Sequence, residues 1–282
     1  MGKEYFAGRK LVIATMHRKQ QVLQPLLEEA LGVECILPKI FNSDLLGTFS
    51  GEVEREGNPL DVAIKKCEPA MLETKTTLAV ASEGSFGPHP YIGFIPADEE
   101  LLVLVDKQYE LIIKVKELST ATNFGGRVIY SKEDALAFAE SVLFPSHALI
   151  VKKAKNNFTD IYKGIHDREN YLQIVSNFLT ENGSAYVETD MRANFNPSRM
   201  LVIGEACKKL IAAIKHSCKN CGIPGFSITE VIGGLPCTVC GTPTRSTKAV
   251  IYTCEKCNYK EKVDYPNNNI TEDPMYCDIC NP

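Results

Sequence analysis

CKNC at residues 218–221, CTVC at 237–240, CEKC at 254–257 and CDIC at 277–280 set the reading of the chain's C-terminal stretch. A Cys-x-x-Cys pair turns two sulfurs toward one point and makes half of a tetrahedral tetrathiolate; two such pairs close it. Cys218, Cys221, Cys237, Cys240, Cys254, Cys257, Cys277 and Cys280 therefore predict two zinc ions. With four thiolates on each ion there is no open position for water, so the expected zinc is structural. Disulfides are the rival reading, but nothing in the sequence is secretory and cytosolic thiols stay reduced. A thioredoxin-like motif would be one pair at a helix start rather than four in series.

Between Cys240 and Cys254 lies GTPTRSTKAVIYT, whose β-branched and aromatic end reads as a short hairpin joining two knuckles of a zinc ribbon. On that reading Cys237, Cys240, Cys254 and Cys257 form an inner site, which Cys218/Cys221 with Cys277/Cys280 close over. Tandem pairing, first with second and third with fourth, is the alternative. Acidic residues (Glu230, Glu255, Glu261, Asp264, Glu272, Asp273, Asp278) slightly outnumber basic ones (Lys219, Arg245, Lys248, Lys256, Lys260, Lys262) in this segment. Each zinc on four thiolates adds about −2 more. Nonspecific nucleic-acid binding needs an excess of cations, so a nucleic-acid partner is allowed through a local patch (Arg245, Lys248, Lys260) but not favoured over packing or homodimerisation.

Upstream, residues 1–217 read as one α/β domain, with 218–282 as the zinc-ribbon domain. The chain of 282 residues has room for both, and its 44% hydrophobic and 23% charged composition is that of a globular protein. No apolar run approaches the ~18–20 residues needed to span a bilayer, and LVIATM (11–16) is too short for a secretory core, so no membrane partner and a cytoplasmic location are expected. Strand-like runs are Leu11–Thr15, Thr77–Ala81, Leu101–Val105, Leu111–Val115, His147–Val151 and Ala185–Val187. Asn58-Pro59, Ser131, Asp167 and Asn196-Pro197 read as helix starts. Cys35, Cys67 and Cys207 stand alone and are expected to be buried small hydrophobes.

Walker A, G-x-G-x-x-G, H-E-x-x-H and G-x-S-x-G signatures are missing. Polar clusters stand instead at the ends of elements. Thr15-Met16-His17-Arg18-Lys19 is a donor-rich strand-to-helix turn suited to an anion. Ser82-Glu83-Gly84-Ser85 is a turn after a strand, where a carboxylate beside glycine suits Mg²⁺ or an activated water. Arg192, Ser198 and Arg199 lie in a third cluster near the last helix.

In their order these clusters resemble the inosine triphosphate pyrophosphatase-like superfamily. Thr15, His17 and Lys19 resemble its T-x-N-x-x-K turn, Ala63 to Lys66 its A-x-x-K segment, and Ser82 to Ser85 its acidic turn. Phe144 and His147 are similar in position to its base pocket, and Pro197-Ser198-Arg199 resembles its closing S-H-R motif. The resemblance implies a mixed sheet flanked by helices. It also implies Mg²⁺-dependent hydrolysis of noncanonical or modified nucleotides, with a nucleotide or another phosphate-bearing small molecule as partner. Lys19 and Lys66 would hold the phosphates, with Thr15, His17, Arg18, Ser82 and Ser85 around them. Glu83, with Glu52 or Glu54, would hold Mg²⁺; Phe144, His147, Arg192, Ser198 and Arg199 would bind the rest of the substrate. A nonenzymatic nucleotide- or RNA-binding protein and a zinc-stapled interaction scaffold are the alternatives. As a whole the chain also resembles a bacterial family of unassigned function that shares MHRK (16–19), ASEGSFGPHP (81–90), ETDMRA (188–193) and the four cysteine pairs.

Overall fold

The computed structural model describes residues 3–39 and 57–282. They form two compact units, one spanning residues 6–211 and the other residues 212–282 with the N-terminal residues through Tyr5. The architecture is mixed α/β, with sheets flanked by helices and a cysteine-rich C-terminal region.

The larger unit opens on a five-stranded sheet in the order β2-β1-β3-β4-β5. Its strands are β1 (Lys10–Ala14), β2 (Glu34–Ile36), β3 (Leu78–Pro88), β4 (Pro96–Asp106) and β5 (Leu111–Ser119). β1 runs parallel to β2 and β3, while β4 and β5 return antiparallel. Asn58 opens the helix Pro59–Thr74 (called α3, after α1 at Lys3–Phe6 and α2 at Gln20–Leu31): its Oδ1 accepts the Asp61 amide at 3.0 Å. α3 lays Ala63, Cys67, Ala70 and Met71 on Ala79, Ala81, Leu101 and Val103, so one face of the sheet is a sealed apolar layer. Leu78, Val80, Leu102 and Leu104 alternate to the other face and are buried as well.

A second, antiparallel sheet in the order β6-β9-β7-β8 has its own core. Its strands are β6 (Gly126–Ile129), β7 (Leu149–Lys152), β8 (Ile161–Ile165) and β9 (Ala185–Thr189). Helices α4 (Lys132–Ser141) and α5 (Arg168–Asn182) cover it, capped by Ser131 and Asp167 as their side chains predict. The expected single sheet is thus corrected to two. β6 and β8 are short and half-exposed, so neither shows the apolar run of a buried strand. α6 (Pro197–Lys215) follows, with Asn196 Oδ1 accepting the Arg199 amide at 3.0 Å.

The strand expected to stop at Ala81 runs on to Pro88, paired with β4 throughout, so Ser82-Glu83-Gly84-Ser85 is strand and not turn. The ladder to β1 ends at Ala14↔Ala81, and among the described residues β3 has no strand beyond it on that side.

In the C-terminal unit, β10 (Ser227–Gly233), β11 (Thr247–Thr253) and β12 (Lys260–Asp264) form a three-stranded antiparallel meander. Among the described residues no helix is long and apolar enough to cross a membrane.

Candidate functional site

In the meander the chain reverses at every strand, so successive knuckles fall at alternate ends. The first and third share one end, the second and fourth the other. Accordingly Cys218, Cys221, Cys254 and Cys257 gather in one cluster, and Cys237, Cys240, Cys277 and Cys280 in another. Sulfur separations are 3.7 Å for Cys218–Cys257 and Cys221–Cys254, 3.9 Å for Cys237–Cys280 and 3.6 Å for Cys240–Cys277. A tetrahedron with Zn–S bonds of about 2.3 Å has edges of about 3.8 Å, whereas a disulfide would bring its sulfurs to about 2.05 Å. All eight cysteines are free thiols, and the sets fit two tetrathiolate metal ions, consistent with structural zinc. The loops repeat one device: the amides of Gly222, Gly241 and Asn258, all at positive φ, donate to the carbonyls of Cys218, Cys237 and Cys254 at 2.8–2.9 Å. The nested pairing is corrected, and so is the tandem alternative. Both missed β10, whose reversal exchanges the partners.

The larger unit holds a different centre where β1 ends and β3 continues. Alternation along β3 splits its polar residues between two faces. Glu83 points toward α3 and forms an ion pair with Lys66, both nearly buried. Ser82 points the other way, and its Oγ accepts from Lys19 Nζ at 2.7 Å. Lys19 stands at the turn between β1 and α2, where Arg18 takes a left-handed backbone conformation (φ 58°). Gly84 shares the Ser82 face and pairs with Glu100 of β4. A Cβ there would run into Arg199 Nη2 and Glu100 Oε1, so glycine leaves the room in which Arg199 Nε donates to Glu100 at 2.5 Å. Arg199 Nη1 also donates to the Met191 carbonyl at 2.5 Å, and its guanidinium lies 4.9 Å from the Phe86 ring centroid.

Asp98 completes the group. It is fully buried, and neither carboxylate oxygen has a hydrogen-bond partner; Glu100 Oε2 lacks one too. Burial, reinforced by the charge of Glu100, pushes the Asp98 carboxyl up to about 7, against the opposing pull of Arg199 and Lys19. Burial, helped by Arg199, lowers the Lys19 ammonium to about 7, while Glu100 and Glu83 resist. Lys19, Asp98, Glu100 and Arg199 thus make a buried charged cluster on the Ser82 face of β3, with the Lys66–Glu83 pair on the α3 side.

The other residues singled out in the sequence fall elsewhere or play other parts. Thr15 Oγ1 accepts the His17 amide at 3.4 Å within the same turn, Arg18 is exposed, and Ser85 is exposed on the α3 side of β3. Phe144 packs on Tyr171 in the second core, ring centroids 5.3 Å apart. His147 Nε2 accepts the Ser198 amide at 3.2 Å and lies 2.9 Å from Ser198 Oγ, so it caps α6. Arg192 is held by Asp190 at 2.6 Å over the Phe195 ring. Glu52 and Glu54 lie outside the described residues. Sequence reasoning missed Asp98 and Glu100. The sequence shows only the acidic run Asp98-Glu99-Glu100 directly before the apolar run Leu101–Val105, and pairing with β3 decides which of the three face the site.

A protein family described as a domain of unknown function (DUF6671) matches residues 66–282. The chain belongs to this family. The DUF6671 match takes in Lys66, Glu83, Asp98, Glu100, Arg199 and all eight candidate metal ligands, and starts downstream of Lys19. No curated protein matches the chain. Among solved structures it is similar to protein VC0702 from Vibrio cholerae, at 12% identity and a TM-score of 0.27, over 39% of this chain. The chain spans 62% of that protein's length, under two thirds.

Proposed function

We propose that this DUF6671 protein is a Mg²⁺-dependent hydrolase of a phosphoanhydride bond in a nucleotide, noncanonical or modified nucleotides included, with the zinc ribbon as a structural appendage. The observation that carries this reading is Asp98, a buried carboxylate with two unpartnered oxygens set among Lys19, Glu100 and Arg199. A carboxylate in that state needs a proton or a cation. Oxygen-only donors from Asp98 and Glu100 suit Mg²⁺, which when bound would neutralise phosphate charge and polarise a water.

The chain's own residues supply the rest. Lys19, Lys66 and Arg199 would meet phosphate oxygens where β3 runs on past the end of its ladder with β1, the crevice end of a parallel pair. An arriving phosphate would draw a proton onto Lys19, whose charged and neutral forms are balanced near neutrality. Lys66 and Glu83 would act as a pair: phosphate takes up the lysine's charge, and the carboxylate is released to accept a water proton. Arg199, clamped by Glu100 and Met191, would meet negative charge without reorganising.

The test is release of phosphate and pyrophosphate from common and noncanonical nucleoside triphosphates with Mg²⁺, run beside Asp98→Asn and Glu83→Gln. Turnover reduced by about 10²-fold or more in both folded variants supports the reading. No release of either product from any nucleotide by zinc-loaded protein sinks it. A second reading, an interaction scaffold, has support in Val239, Met275, Tyr276 and Ile279, exposed apolar residues on and beside the second cysteine cluster.

A further inference from the structure

Beside the charged cluster lies a slot of about 460 Å³ that the proposed chemistry does not use. That volume is in the range of small-molecule sites, about 300–1,000 Å³. Phe94, from the tip of the β3–β4 hairpin, forms one wall, and Phe124, just before β6, forms another. Phe94 is 88% exposed, a large apolar ring in water with little of its surface covered. Four glycines, Gly87, Gly93, Gly125 and Gly126, share the lining with Pro88, Ile95, Pro96 and Tyr186. A Cβ on Gly87 or Gly93 would meet nothing within 4 Å, and one on Gly125 only the Asn123 carbonyl at 3.9 Å. Packing demands glycine at Gly126, where a Cβ would meet Tyr186 and Glu188, but not at the other three, where bare backbone leaves room for a ligand.

The polar groups of the slot are few. Glu188 and Lys155 line it, and Glu188 is pinned because Lys152, itself almost fully buried, holds one of its oxygens at 2.6 Å. A fixed carboxylate only accepts hydrogen bonds, so it suits a ligand edge carrying N–H groups and rejects an acyl chain or a second anion. Two ring contacts link the slot to the charged cluster. Phe124 lies 5.9 Å from Phe86, ring centroid to centroid, and Phe86 carries the Arg199 guanidinium at 4.9 Å. A ligand with phosphates at Arg199 and Lys19 would have its other end beside Phe86, on the side of the slot.

We propose that the Phe94–Phe124 slot seats a planar nitrogen heterocycle, a nucleobase, stacked on these rings with an N–H edge toward Glu188. The inference rests on the phosphate-binding role of the cluster and moves base recognition to residues no sequence motif marks, away from Phe144 and His147.

The experiment is calorimetric titration of the zinc-loaded full chain with Mg²⁺, using inorganic tripolyphosphate and the α,β-methylene analogues of ATP, GTP, CTP and UTP. At least one nucleotide should bind about tenfold or more tightly than tripolyphosphate, the increment expected of base stacking. Phe94→Ala, at an exposed position where folding is not at risk, and Phe124→Ala should each remove most of that gain and leave tripolyphosphate binding unchanged. Glu188→Gln should change the ranking among the four bases. Nucleotides binding no tighter than tripolyphosphate, or a gain that survives both phenylalanine substitutions, overturns the slot while the phosphate site stands. Failure of tripolyphosphate and nucleotides alike removes the phosphate site, and the slot with it.

Discussion

Arg199 and Glu100, 99 positions apart in the chain, form a buried ion pair that fills the space in front of Gly84. Their side chains are 6% and 0% exposed, so the pair lies outside the screening that makes surface ion pairs nearly neutral in stability. Two charges are held in a low-dielectric site with glycine as the spacer. One ordinary methyl group is enough to disturb them.

Gly84→Ala should accordingly destabilise the larger unit by about 2–4 kcal/mol, through overpacking and displacement of a buried pair. Gly87→Ala, three residues along the same strand, places its methyl in open space and should change stability by less than about 1 kcal/mol. Urea unfolding of the two variants side by side makes the comparison. Equal effects would mean that the Arg199–Glu100 pair does not occupy the Gly84 face.

Asp98 should make stability depend on pH in a defined direction. Its folded pKa of about 7 lies above the unfolded value near 3.8. Between these values the folded state keeps a proton that the unfolded state has lost, so the Asp98 contribution to stability falls as pH rises from about 4 to about 7. Asp98→Asn removes that loss. The melting temperature of the variant minus that of the parent should climb from pH 4 to pH 7 and level off above it. A difference flat across that range contradicts the buried, unpartnered carboxyl.

His147 should act with the opposite sign. Burial lowers its pKa below the ordinary 6.5, with the Leu143 backbone contact partly opposing, and as the neutral ring it accepts the Ser198 amide at the start of α6. The unfolded state then binds the extra proton, so this contribution is complete above about pH 6.5 and is lost as pH falls through the folded pKa. His147→Ala should cost about 1–2 kcal/mol at pH 7.5, the value of a helix cap, and less at pH 5. Denaturant melts at the two pH values measure it; an undiminished effect at pH 5 would make the contact one of packing alone.

Much of this was legible in residue order, and the misses share a cause. Asn58, Ser131, Asp167 and Asn196 mark helix starts because a cap needs only a side-chain oxygen and the next turn of backbone. Eight cysteines mark two metal sites because ligand chemistry is carried by residue type. Residues whose role depends on strand register were hidden. Glu83 could be picked out, but whether it faced Lys19 or Lys66 depended on β3 continuing past Ala81. Asp98 and Glu100 became visible only once β4 paired with that extension. The base slot needs residues from two sheets, and no local pattern announces such a meeting.

Zinc stoichiometry in double variants tests the pairing imposed by the meander. Cys218 and Cys254 serve one cluster, and Cys237 and Cys277 the other. Losing two ligands from one tetrathiolate should release that ion and leave its neighbour, since the clusters share no sulfur. Cys218→Ser with Cys254→Ser should therefore leave one zinc per chain. Cys237→Ser with Cys254→Ser removes a ligand from each cluster and should weaken both ions, so that a competing chelator strips both under conditions where the parent keeps two. Nested pairing, with Cys237 and Cys254 on one ion, reverses these two results. Tandem pairing would damage both sites in either variant, so it is separated from the interleaved arrangement by the first one alone. Chelator-resistant zinc, counted by elemental analysis in the two variants and the parent, decides among the three.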